Sequence, residues 1–166
     1  MVNTFSSTKF AEFASLLEAR GLAHVCLNEP LSAHTTWKVG GPADLWIEPS
    51  SEDAVKTVIS LLDERQIPWV VLGKGSNTLA DDEGFRGAVL NLEKGLQEIT
   101  RTPWVDEHCE IEASAGAPIA GLLRFAVREK IAGLEMLTGV PGTVGGAIRM
   151  NAGTHLGEAK DSLIAV

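Results

Sequence analysis

The chain has 166 residues, 45% hydrophobic and 22% charged, with a formal net charge of −8. Such a composition calls for a packed core, in one ordinary domain or two small ones, and excludes a disordered chain. The acidic balance argues against non-specific nucleic-acid binding, which needs a basic face, but leaves room for a local basic pocket that takes an anion.

The opening "MVNTFSSTKF" has neither a basic region nor an apolar stretch, so it does not read as a signal peptide, and no apolar run approaches membrane length. A cytoplasmic protein with no membrane partner is expected. Residues 8–20 place Phe10, Phe13, Leu16 and Leu17 on one helical face, and Gly21 stops the helix. "NEPLSAHTTWKVGGPA", residues 28–43, lacks a period and reads as a loop. "DLWIEP" reads as a strand. "SSEDAVKTVISLLDERQ" is the clearest helix, with Ser50 and Asp53 suited to a capping box and Ala54, Val55, Val58, Ile59, Leu61 and Leu62 forming its buried stripe. "IPWVVL" follows as a continuous apolar strand, so residues 44–72 form a β-α-β unit that ends in the glycine loop "GKGSN".

Beyond the loop, "GAVLNL", "LQEITRT" and "CEIEASA" read as short strands, and "PIAGLLRFAVREKI" as a helix with Pro118 near its first turn. The segment from Gly133 to Gly157 holds 7 of the chain's 17 glycines, a density costly in folding entropy. "SLIAV" reads as a strand just beginning at residue 162, which suggests a C-terminally incomplete fold. The change from β-α-β to strand-rich order near residue 72 divides the chain into an α/β subdomain over 1–72 and a second, α+β subdomain over 73–166.

The glycine loops are anion candidates. Gly73 and Gly75 bracket Lys74, and Ser76 and Asn77 add donors; glycines let successive N–H groups converge on one anion. The alternative is an ordinary tight turn after a strand. Neither the G-x-x-x-x-G-K-[ST] loop nor the G-x-G-x-x-G dinucleotide fingerprint fits: Gly75 follows Lys74, and Thr78 stands where the third glycine belongs. The second segment adds Gly139, Gly142, Gly145 and Gly146 around Pro141 and Thr143. Its "TVGGAIRMN" offers a short helical turn whose N-terminus could face a phosphate, and Asn151 could bond a ligand ring edge. Two such loops suggest an elongated ligand with a diphosphate and a flat polar ring.

Other candidates read blandly. His24, His34, His108 and His155 have no metal-ligand spacing and are expected to be solvated or structurally bonded, and no metal is expected. Cys26 and Cys109 are far apart with no CxxC spacing and read as buried or half-buried thiols. Trp37, Trp46, Trp69 and Trp104 could stack on a ring but are expected in core or half-buried packing, and Arg149 is expected exposed on its short helix.

"VLGKGSNTLADDEGFRGAVLNL" resembles the first flavin-diphosphate loop of the vanillyl-alcohol-oxidase type FAD-binding domain. "GVPGTVGGAIRMNAGTHLGE" and "PLSAHTTWKVGGPADLWIEP" are similar to segments of one member family, the UDP-N-acetylenolpyruvoylglucosamine reductases, also called UDP-N-acetylmuramate dehydrogenases. The resemblance implies a two-subdomain α+β fold of that type, holding FAD non-covalently across both subdomains. It implies reduction by NADPH and hydride delivery to the enolpyruvyl group of a UDP-sugar, for peptidoglycan.

Carried over by position, Gly73, Lys74, Gly75, Ser76, Asn77 and Thr78 wrap the diphosphate. Val140, Pro141, Gly142, Thr143, Gly145 and Gly146 line the flavin, and Asn151, Ala152 and Gly153 close that loop. Gly116 lets the backbone pass the cofactor, and Thr36 and Gly40 sit near the flavin ring. The family's substrate arginine, proton-donating serine and C-terminal glutamate belong to segments that do not occur in these 166 residues, so no catalytic residue is assigned and the substrate-binding domain is expected to be absent. Other flavin oxidases of the superfamily often anchor FAD through a histidine in the first loop, and residues 71–80 hold none. A non-catalytic FAD-binding fragment, or another flavin oxidoreductase of the superfamily, is the alternative.

Overall fold

The computed structural model describes residues 7–166. Part of the stretch read as lacking a leader, residues 1–6, lies outside it. Two compact units result, Met1–Gly95 and Leu96–Val166.

In the first unit, helix α1 (Ser7–Ala19) buries Phe10, Phe13 and Leu17 and ends before Gly21, which takes φ 66°. Strand β1 (Ala23–Pro30) then pairs antiparallel with β2 (Pro42–Pro49), Val25 opposite Ile47 and Leu27 opposite Leu45. β1 escapes sequence reading because His24, Cys26, Asn28 and Glu29 dilute its apolar signal; pairing with β2 makes it a strand. The loop read over 28–43 therefore contracts to the stretch between the two strands.

Helix α2 (Glu52–Glu64) buries Ala54, Val58 and Leu62, as its pattern requires. Its cap is Ser51 and not Ser50: the Ser51 hydroxyl accepts the N–H of Ala54 at 3.2 Å. Ser50 instead donates to the carbonyls of Gly21 (2.9 Å) and Leu22 (3.1 Å), tying the end of β2 to the end of α1.

Strands β3 (Trp69–Val71) and β4 (Phe85–Leu90) complete a sheet of order β1-β2-β4-β3, with β4 parallel to both neighbours. The β-α-β unit thus leaves a gap that β4 fills. That insertion carries the first unit through Gly95, past the division read near residue 72. On one side, Leu17, Leu45, Ile47, Val58, Leu62 and Leu90 are fully buried. Each large aliphatic side chain there contributes roughly 1.5–3 kcal/mol. On the other side, Trp46, Val89, Leu72 and Leu31 form a smaller cluster beneath the glycine loop.

In the second unit, β5 (Ile99–Arg101) pairs antiparallel with β6 (Ile111–Ala113). Helix α3 (Ile119–Glu129) starts after Pro118 and ends at Lys130, which adopts the left-handed conformation. The glycine-dense segment resolves into a six-residue helix α4 (Val144–Arg149) and a tight hairpin of β7 (Gly153–Thr154) with β8 (Gly157–Glu158). Ile119, Leu122, Met136, Leu137, Val144 and Ala147 make the core. The expected strand at "SLIAV" does not form: residues 163–166 follow a 3-10 turn (Ala159–Asp161) and join no sheet.

Candidate functional site

The glycine loop leaves the end of β3 and is held from three directions. Leu72 donates its N–H to Leu90 at 2.9 Å. Asn91, buried just past β4, donates its amide to the carbonyls of Leu72 (3.0 Å) and Gly73 (3.4 Å). Thr36 donates its N–H to the carbonyl of Gly75 at 3.1 Å. Gly75 has φ 60°, and a Cβ there would overlap the His34 carbonyl oxygen and lie 2.9 Å from the Thr35 Cα. The close approach that demands glycine here is to the chain itself.

An open concavity of about 310 Å3 results, lined by Ala33, His34, Thr35, Thr36, Gly73, Lys74 and Glu93. Lys74 and Asn77 are exposed, and Ser76 and Thr78 are half-buried. Gly40 stands apart from this wall: it takes φ 120°, and a Cβ there would come within 2.5 Å of the Ala80 Cβ.

The floor beneath the concavity is a network that sequence reading missed. The His34 ring stacks on buried Trp46 with centroids 3.7 Å apart, and its Nε2 lies 2.8 Å from Glu29. Trp46 donates Nε1–H to Glu48 at 3.2 Å, and Lys94 donates to the same carboxylate at 2.7 Å. Burial pushes the Glu48 carboxyl up, but the hydrogen bonds from Lys94 and Trp46 and the Lys94 charge outweigh it and hold the group below the ordinary glutamate range. Cys26, on the same face, is pushed up by burial and then by the nearby Glu29 and Glu48 carboxylates.

In the second unit, "SAGA" and "GTVGG" lock together. Ile119 donates its N–H to Gly142 (3.1 Å), Val144 to Ala117 (2.8 Å) and Gly145 to Ala115 (2.9 Å). A Cβ on Gly145 would lie 2.8 Å from the Ala115 Cβ. Thr143 caps α4 by accepting the N–H of Gly146 at 3.3 Å. The first-turn N–H groups of α4 are therefore taken by the chain.

Asn151, at φ 47°, is likewise committed internally. Its amide donates to Glu158 (2.9 Å) and accepts the N–H of Lys160 (3.0 Å), closing the 151–160 loop. Ala152 bonds Ala147 and Ala159 through its backbone, and Gly153 packs on Gly157 in the hairpin. Gly116 is buried in its turn. Val140 and Gly142 are half-buried, and Pro141 and Gly139 are exposed.

The profile of an FAD binding domain family matches residues 43–166. The chain belongs to that family. It is 46% identical over 140 residues to the UDP-N-acetylenolpyruvoylglucosamine reductase of Bacillus pumilus, covering 84% of this chain and 44% of that protein. With the enzyme of that name from Bacillus subtilis the identity is 39% over 148 residues, covering 89% and 47%. A crystal structure of UDP-N-acetylenolpyruvylglucosamine reductase from Thermus caldophilus superimposes with a TM-score of 0.63 at 35% identity, covering 82% of this chain and 44% of that one. The chain thus has the α+β FAD-binding fold of that structure and spans less than half the length of these relatives.

The donor chemistry of this FAD-binding chain fits a diphosphate in its first unit. Lys74 carries a charge, Thr36 and Asn77 offer exposed polar groups, and Gly73 and Ala33 leave the wall low. Glu93 shares that wall with Lys74. Among the described residues, no group of three or more His, Cys, Asp or Glu side chains is placed to hold a metal, and no helix is long and apolar enough to cross a membrane. Arg149 is exposed at the end of α4, as is His155 beyond it. Trp46 is core and Trp69 is half-exposed, bonded to Asp63 at 2.8 Å. Trp37, at 70% exposure, departs from the packing expected of it.

Proposed function

We propose that this chain is the FAD-binding portion of an NADPH-dependent UDP-N-acetylenolpyruvoylglucosamine reductase, acting in the cytoplasm to form UDP-N-acetylmuramate for peptidoglycan. The observation that carries the reading is the pair of glycine loops, each braced by a second chain segment, within a stretch that matches an FAD binding domain. The relatives' names support the substrate class.

In the first unit, Gly73, Lys74, Gly75, Ser76, Asn77 and Thr78 hold the diphosphate, with Thr36 beside them. Lys74 supplies charge, while Gly75 shapes the loop from within. In the second unit, Val140, Pro141 and Gly142 meet the flavin, and Thr143, Gly145, Gly146, Gly116, Asn151, Ala152 and Gly153 build the loop that presents them, with Gly40 doing the equivalent for the first. Bound FAD supplies a two-electron carrier able to take hydride from NADPH and pass it to an enolpyruvyl double bond. Absence of histidine from residues 71–80 favours non-covalent binding.

The proton donor and the substrate clamp of the resembling family lie in segments outside these residues, so a polypeptide of these 166 residues binds FAD without reducing the UDP-sugar. General acid help is typically worth about 10²–10⁴-fold and orientation several kcal/mol more. The test is flavin titration of the purified chain, followed by NADPH oxidation with and without the UDP-sugar. FAD binding without substrate-dependent oxidation is expected. Failure to bind FAD overturns the reading, and oxidation near a full-length relative's rate places the catalytic groups within this chain. Whether the gene encodes those segments is a second check.

A further inference from the structure

Trp37 is the most exposed of the chain's tryptophans, and the loop around it is built to hold it out. Thr35 is buried and donates its hydroxyl to the Val39 carbonyl at 2.9 Å. Lys38 takes φ 55° and returns its N–H to Thr35 at 3.1 Å, closing a tight turn with Trp37 at its tip. The preceding residue, Thr36, is bound to the glycine loop through Gly75 and lines the same concavity as Lys74. Val39 (40% exposed) and Leu79 (78%) flank the Gly40–Ala80 contact in sequence and are exposed as well. An indole with 70% of its surface in water adds little to folding, and the hydrogen bonds that fix its turn do not bury it.

We propose that Trp37 is a further ligand-binding residue: its indole is the platform on which a flat heteroaromatic ring of the bound nucleotide stacks, while the adjoining Lys74 wall takes the phosphates. The proposal rests on the FAD reading above. Aromatic faces stack on heterocycles without needing a particular hydrogen-bond pattern, and truncating such a platform costs about 1–3 kcal/mol, roughly 5- to 150-fold in affinity. Either the adenine or the isoalloxazine end of FAD offers such a ring.

The experiment compares the wild-type chain with Trp37→Ala and Trp37→Phe. FAD, FMN and ADP are each titrated by calorimetry, and quenching of tryptophan fluorescence is followed in parallel. Trp37→Ala is expected to weaken FAD about 10- to 100-fold with an unchanged melting temperature, and to lose the quenching seen in the wild type. Trp37→Phe retains an aromatic face and stays within a few-fold of wild type. A matching loss for FMN alone assigns the isoalloxazine, and for ADP alone the adenine. Wild-type affinity for FAD in Trp37→Ala overturns the platform while leaving the FAD reading in place. Equal losses in both variants also overturn it, because stacking then is not what the indole supplies. Failure of the wild type to bind FAD overturns both.

Discussion

Thr36 donates its backbone N–H to the carbonyl of Gly75 at 3.1 Å, and a Cβ on Gly75 would overlap the carbonyl oxygen of the neighbouring His34. The glycine loop and the turn at 33–36 are thus one braced unit. Gly75→Val is expected to lose flavin binding and also to destabilise the first unit. The residue's φ of 60° alone costs a β-branched side chain about 1–3 kcal/mol, and the overlap adds to it. Urea denaturation monitored by tryptophan fluorescence measures this; a midpoint equal to wild type would refute the bracing.

Asn91 is expected to matter as much as the loop residues themselves. Asn91→Ala leaves the Leu72 and Gly73 carbonyls without their side-chain donor, at a cost of about 1–3 kcal/mol of stability, and loosens the loop's start. Flavin affinity falls with it. Stability and titration measured together check this: a destabilised variant with wild-type FAD affinity would separate Asn91 from the site.

The Glu48–Lys94 pair predicts a pH dependence. Its carboxyl is depressed in the folded chain, so the stability it contributes is present above the unfolded glutamate value of about 4.3 and is lost as pH falls through the lower, folded value. Wild type should therefore lose stability more steeply than Glu48→Gln, which cannot titrate, as pH falls below the unfolded glutamate value of about 4.3. Denaturation midpoints below that value provide the comparison. Parallel curves would mean that the pair contributes nothing linked to protons.

Flavin should be removable without breaking a bond. Acid denaturation followed by filtration is expected to release all flavin into the filtrate. Yellow colour retained on the polypeptide would contradict non-covalent binding.

Thr143→Ala removes the side-chain cap of α4. A loss of about 1 kcal/mol is expected, with weaker flavin binding as Val140–Gly142 lose their support. Thr143→Ser should restore both. Thermal unfolding and titration of the two variants test it.

Local chemistry determined much of this protein from sequence alone. The stripe of Ala54, Val58 and Leu62 makes α2, Phe10, Phe13 and Leu17 make α1, and two glycine loops announce themselves because their strained turns exclude other residues. Short-range rules of period and turn chemistry suffice for these, since the partners lie within a few residues.

Contacts distant in sequence were decided only by tertiary structure. β1 is a strand because β2 pairs with it, and β4 enters between β2 and β3 from the far side of the glycine loop, which moves the unit boundary to Gly95. Gly75 needs to be glycine because His34 lies against it, and Asn151 spends its amide on Glu158 and Lys160. The start of α4 is similarly spent on Ala115 and Ala117. A sequence shows which groups can donate, accept or approach closely, but which of them the fold consumes depends on neighbours brought together across many residues. Trp37 is the converse case: a ring expected in core or half-buried packing, held outside by a turn whose bonds run to Thr35 and Gly75.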